Sequence, residues 1–203
     1  MGEAVSAVIL AGGRATRLGG VNKAQLEIGG KRIIDRVVDS LRPLADQILV
    51  VGHLSDGLNL LDVEVLTDEN PGAGTLAALH TGLSRAKRDV CLVVGCDMPF
   101  LSTRLLEVIT SLCHDSDIAV PRIGPHLEAL HAAYRRTCLP AIEDALARRE
   151  LKIINFYGRM RTRELPESEV RAVDPELLSF LNVNTPEDVE RARSIVDRLE
   201  MTH

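Results

Sequence analysis

The sequence predicts an α/β protein whose mainly parallel sheet is covered on both faces, and three observations carry that expectation. Short β-branched runs bounded by turn residues alternate with stretches of helical periodicity, the pattern of successive βαβ units. Two runs, SAVILA at residues 6–11 and DVCLVVG at residues 89–95, are almost continuously apolar, as central strands buried on both faces must be. A length of 203 residues suits one domain, long enough to bury roughly 70% of its unfolded surface.

The elements follow in chain order. Val5–Ala11 forms the first strand, and a helix follows from the spacing of Ile33, Ile34, Val37, Val38 and Leu41. Strands at Gln47–Val51 and Val63–Thr67 precede a helix with Leu76, Ala77, Leu79 and Leu83 on one face. The strand Val90–Val94 leads past Pro99 to a helix capped at Ser102 or Thr103, with Leu105, Leu106, Ile109 and Leu112 facing inward. Asp117–Val120 and Ala129–Tyr134 read as further strands, and the charged stretch Arg159–Glu169 reads as a surface loop. At the C-terminal end, Thr185 supplies a helix cap, Pro186 the first turn, and Glu187 and Asp188 negative charge at the positive end of the helix dipole. Val189, Ala192, Ile195, Val196 and Leu199 give that helix its apolar stripe.

Composition excludes several function classes. A net charge of −5 argues against a nucleic-acid or membrane-surface binder, which needs a sustained basic face. Aromatic residues make up 2% of the chain, leaving few platforms for base stacking. The four cysteines include no C-x-x-C pair, so neither a zinc site nor a disulfide framework is expected. The apolar run Val5–Ala11 is too short for a membrane span or a secretion signal, and the expectation is a cytoplasmic protein.

Ligands of open α/β sheets bind beyond the carboxyl ends of the strands, and three such ends carry chemistry here. The first is a glycine-rich basic loop from Gly12 and Gly13 through Arg14, Arg17, Gly19 and Gly20 to Lys23. Its backbone amides and charges suit a triphosphate, although its spacing matches neither the P-loop nor the dinucleotide fingerprint. Lys23 offers a compact charge and Arg17 a bidentate one; for either residue alone a solvated surface charge is the ordinary role. The second end is Thr67–Thr75, where Asp68 can meet a base or ribose hydroxyl or simply begin a turn. The third is Gly95-Cys96-Asp97-Met98-Pro99, in which an apolar strand delivers one carboxylate at its exit. Asp97 suits Mg²⁺, which takes one or two carboxylates and otherwise water and phosphate oxygens; the alternative is a helix cap. His126 and His131 flank Glu128 in an irregular segment, where a substrate-site role is one reading and a packing or surface role the more ordinary one. No nucleophile with a partner base emerges from spacing, so a covalent mechanism is not indicated.

Together, LAGGRATRLGG with Lys23, LEIGGKRIIDRV, TDENPGAGTLAAL, GCDMPFL and FLNVNTPED resemble the molybdenum cofactor guanylyltransferase family along essentially the whole chain. The related cytidylyltransferases show LAAG and DQP where this chain has Leu10-Ala11-Gly12-Gly13 and Asp97-Met98-Pro99. The resemblance implies a single Rossmann-like, three-layer domain over residues 1–203 with a mostly parallel central sheet. It implies transfer of GMP from GTP to the phosphate of molybdopterin, with Mg²⁺ as cofactor and release of pyrophosphate. Leu10, Ala11, Gly12, Gly13 and Lys23 correspond to nucleotide contacts, Asp68 to a base or ribose contact, Asp97 to the Mg²⁺ ligand, and Asn182 and Asn184 to the pterin end. Molybdenum cofactor biosynthesis proteins and apo-molybdoenzymes are the implied protein partners. The competing readings are a cytidylyl- or sugar-1-phosphate nucleotidyltransferase on the same fold, and a non-catalytic nucleotide-dependent cofactor-delivery protein.

Overall fold

A computed structural model describes residues 5–11, 17–18, 21–22, 25–52, 62–67 and 74–201, with the backbone alone at 17–18 and 21–22. In chain order the strands and helices are β1 (Val5–Leu10), β2 (Arg17–Leu18), β3 (Val21–Asn22), β4 (Glu27–Ile28), β5 (Lys31–Arg32), α1 (Ile33–Leu41), β6 (Ala45–Val51), β7 (Glu64–Leu66), α2 (Gly74–Arg85), β8 (Val90–Gly95) and α3 (Thr103–Leu112). There follow β9 (Ile118–Ile123), β10 (His126–Leu127), β11 (His131–Arg135), α4 (Leu139–Ala147), β12 (Thr162–Pro166), α5 (Glu167–Arg171) and α6 (Pro186–Glu200).

The main sheet runs β10-β9-β11-β8-β1-β6-β7, with β12 on the other edge of β9. Its centre is parallel: β1 pairs with both β6 and β8, and β6 with β7. β11 turns the sheet antiparallel by pairing with β8 and β9, so the sheet is mixed with mostly parallel central strands.

Alternation along the central strands divides the interior. Val5, Ala7 and Ile9 of β1 and Leu92 and Val94 of β8 enter one apolar core, closed by α1, α3 and α6. Val8 and Leu10 of β1 and Cys91 and Val93 of β8 enter the other, closed by α2, α4 and the 3-10 segment Ile153–Arg159. Period-2 strands between period-3.6 helices on both faces give the three layers. Helix α2 lies close on β1 at Gly82, where a Cβ would overlap Val8 Cγ1, so any side chain there would force the helix or the strand to shift. Among the described residues no helix is long and apolar enough to cross a membrane.

Arg159–Glu169 is not a loop. It holds the end of a 3-10 segment, strand β12 and the start of α5. β12 pairs parallel with β9, and Leu165, 1% exposed, anchors it in the core. Its charges are met across the strands: Arg122 donates twice to Glu164, at 2.6 and 2.8 Å, and Arg161 pairs with Asp117. An edge strand tolerates such charge because one of its backbone edges faces solvent.

Candidate active site

The carboxyl ends of the parallel strands lie level. Leu10 of β1 stands opposite Val51 of β6 and Gly95 of β8. Beyond it Ala11 N–H donates to Val51 C=O at 2.8 Å, and Cys96 N–H donates to Leu10 C=O at 3.2 Å. Leu10 and Ala11 are buried, so the chain leaves β1 for the glycine-rich stretch directly beside the exit of β8. Gly12, Gly13, Lys23 and Asp68 lie outside the described residues. Arg17 lies on β2, its backbone paired with Asn22 of β3, and its side chain is outside the description.

Asp97 leaves β8 in a turn anchored by buried Met98 and Leu101. Its side chain is half-buried. It folds back over the strand end, since a Cβ at Gly95 would meet Asp97 Oδ1 at 2.8 Å. The cap of α3 is Ser102, whose hydroxyl accepts from Leu105 N–H at 3.2 Å, so that helix does not use Asp97 as its cap. Among the described residues no three His, Cys, Asp or Glu side chains gather as a metal site. One half-buried carboxylate at a strand exit fits Mg²⁺, a cation that keeps water and phosphate as its remaining ligands.

Asn182 and Asn184 come to the same place. Val183, between them, is buried and donates its N–H to Asp97 C=O at 2.9 Å. Asn182 Nδ2 donates to Phe180 C=O at 3.4 Å, and Asn184 N–H donates to Asp188 Oδ2 at 2.9 Å. Asp188 also closes the cap of α6: its carboxylate accepts from Thr185 N–H at 2.8 Å while the Thr185 hydroxyl accepts from Asp188 N–H at 3.2 Å. The Asn184 and Thr185 amides hold the Asp188 carboxyl below the usual carboxylate range. The predicted cap thus has a second effect, because it fixes the segment that carries the two asparagines.

The sequence marked His131 only as one of two histidines flanking Glu128, and the structure sets it in the turn 128–131 beside the exit of β8. Gly95 N–H donates to Leu130 C=O at 3.1 Å, tying this turn to the exit of β8. His131 begins β11 opposite Val94 and is fully buried, and burial alone pushes its imidazole down to about 3. Its ring meets that of Phe180 with centroids 4.6 Å apart. Glu128, half-buried beside it in sequence, is raised by desolvation. Leu177, just before the 3-10 turn Leu178–Phe180, has φ +54°, a left-handed conformation costly for a leucine. Asp174 holds that turn by accepting from Leu178 N–H at 3.1 Å and Ser179 N–H at 2.9 Å.

A cleft of about 580 Å³ lies at the opposite end of the sheet between Val5, Arg42, Leu44, Asp46, Glu107 and His114. It gathers no strand-exit carboxylate, and ligands of open α/β sheets bind beyond the carboxyl ends of the strands, at the opposite end from this cleft.

Comparison with known proteins identifies the family. The family model for the MobA-like NTP transferase domain matches residues 7–162. The chain is 37% identical to a protein of Pelotomaculum thermopropionicum named a probable molybdenum cofactor guanylyltransferase, covering 94% of this chain and 92% of the other. It is 35% identical to a molybdenum cofactor guanylyltransferase of Desulfosudis oleivorans, covering 96% of each. The crystal structure of molybdopterin-guanine dinucleotide biosynthesis protein A from Archaeoglobus fulgidus superposes with a TM-score of 0.81 at 28% identity, over 95% of this chain and 99% of that one. A family model over most of the chain and relatives matched over nearly their whole length show that the chain belongs to the MobA-like NTP transferase family.

Proposed function

We propose that this protein transfers GMP from GTP to the phosphate of molybdopterin, releasing pyrophosphate. The observation that carries the reading is the contact of Val183 N–H with Asp97 C=O, which joins the carboxylate at the exit of β8 to the Asn182–Asn184 segment. Reacting phosphates at Asp97 and a pterin at the asparagines would then be neighbours. The relatives named guanylyltransferases, matched over nearly their whole length, support guanine as the base.

The acceptor phosphate attacks the α-phosphorus of GTP in line. A new O–P bond forms as the bond to the β-phosphate oxygen breaks, and the electron pair leaves with pyrophosphate. A phosphate monoester, with a second pKa near ~6, is already largely dianionic at neutral pH, so the step needs no strong protein base. Catalysis is then positioning and charge neutralisation. The backbone amides at Gly12 and Gly13, with Arg17 and Lys23, receive the β- and γ-phosphates, and Leu10 and Ala11 set the level at which that loop leaves the sheet. Asp68 hydrogen-bonds the base or ribose, and Asn182 and Asn184 both donate and accept toward a pterin edge. Asp97 would hold Mg²⁺, which when bound offsets repulsion between the two phosphate anions.

The test is pyrophosphate release from GTP with and without molybdopterin, against CTP and ATP. Release that requires both GTP and molybdopterin supports the reading. Equal release with CTP assigns the cytidylyl branch, and binding without release assigns a delivery protein.

A further inference from the structure

Neither ring nitrogen of His131 has a hydrogen-bond partner among the described residues, although the residue is fully buried. A neutral imidazole carries one donor and one acceptor, and leaving either unpaired in a core costs roughly tenfold or more in the folding equilibrium. Phenylalanine would fill the same space against Phe180 with no polar atom to orphan, so packing accounts for the ring and not for its nitrogens.

The place of the ring is informative. His131 stands at the level where β8 ends, and its backbone N–H donates to Glu128 C=O at 2.9 Å. The other side of the turn is braced by Tyr134, whose hydroxyl donates to Ala129 C=O at 2.7 Å. Phe180 covers the imidazole, the Phe180 carbonyl holds the Asn182 amide, and Val183 holds Asp97. A displacement of the His131–Phe180 pair therefore reaches both asparagines. The chain enters the covering turn through left-handed Leu177, and strain of this kind persists where the surroundings enforce it.

We propose that His131 is a positioning residue for the acceptor: seated under Phe180, its imidazole sets where the 180–184 segment lies against Asp97, and a ring nitrogen gains a hydrogen-bond partner when molybdopterin binds. The proposal rests on the guanylyl-transfer reading and names the residue that tunes its acceptor end.

His131→Phe keeps the ring and removes both nitrogens. It should fold, bind GTP as the unmutated protein does, and raise the KM for molybdopterin by roughly three- to tenfold, the worth of one neutral hydrogen bond, with kcat within about twofold. His131→Gln should recover part of that loss. In the unmutated protein labelled with ¹⁵N-histidine, the ring signals absent from His131→Phe should shift on adding molybdopterin and stay unmoved on adding GTP alone. An unchanged molybdopterin KM in a folded His131→Phe, or ring signals that ignore molybdopterin, overturns the proposal. Failure of the unmutated protein to release pyrophosphate sinks the guanylyl-transfer reading instead, and the labelled-ring titration is read independently of turnover.

Discussion

A methyl group at residue 95 would overlap the Asp97 carboxylate, so the strand exit and the side chain share one small space. Asp97→Asn keeps the shape and removes the charge. It should lower pyrophosphate release by about a hundredfold or more, as loss of a principal electrostatic stabiliser does, while leaving the unfolding midpoint nearly unchanged. Near-normal release would remove Asp97 from the mechanism. If the triphosphate binds at the glycine-rich segment as proposed, Lys23→Ala should weaken GTP binding more than GMP binding; calorimetry with both nucleotides reads the difference, and equal losses contradict the assignment. His131 gives a pH effect of definite sign. Its pKa is lowered on folding to about 3, so its contribution is complete above the unfolded value and is lost as pH falls from about 6.5 toward 3. Denaturant unfolding of the unmutated protein should lose about 2 kcal/mol between about pH 8 and pH 5 relative to His131→Phe. Parallel pH profiles would show that the imidazole is solvated or paired. Asp97 was legible in the sequence because an apolar strand announces its exit. His131 was legible only as one of two histidines flanking Glu128; its burial without ring partners was not, because residue spacing carries no signal of that.

Elements set where those residues stand. At Gly82, alanine gains about 1 kcal/mol of helix propensity but would place a methyl in overlap with Val8 Cγ1, and overpacking costs about 1–3 kcal/mol. Gly82→Ala should therefore destabilise, and the double variant with Val8→Ala should lose less stability than the sum of the two single losses, the mark of a shared contact. The reciprocal cap of α6 gives a smaller effect: Thr185→Ala should cost about 1 kcal/mol and lower Tm by roughly 2–4 °C. A cap and its helix are local, so Thr185-Pro186 and the apolar stripe after it could be read from the sequence, as could the buried strands β1 and β8. β12 could not. With Leu165 as its main apolar anchor, it is a strand because Arg122 and Asp117 on neighbouring β9 and its approach meet Glu164 and Arg161 from a distance in sequence. The same holds for the antiparallel turn of the sheet at β11, fixed by pairing with β8.

For the whole molecule, the mixed sheet brings three chain segments far apart in sequence to one end: the exit of β1, the exit of β8 with Asp97, and the Asn182–Asn184 segment ahead of α6. Their meeting was foreseeable only through the resemblance of their motifs to one family, since spacing alone does not say which strand ends are neighbours. In the proposed reaction this end selects guanine and joins its nucleotide to a pterin phosphate. Guanine presents N1–H and N2–H donors on one edge where cytosine does not, and acceptors left unpaired by the wrong base discriminate by roughly a hundredfold or more when two hydrogen bonds are lost. Asp68→Ala should reduce that preference if its side chain reads the base. The most direct measurement is kcat/KM for pyrophosphate release with molybdopterin as acceptor, GTP and CTP compared on the same enzyme preparation. A GTP preference of about a hundredfold or more is the predicted result; comparable rates with CTP would contradict it.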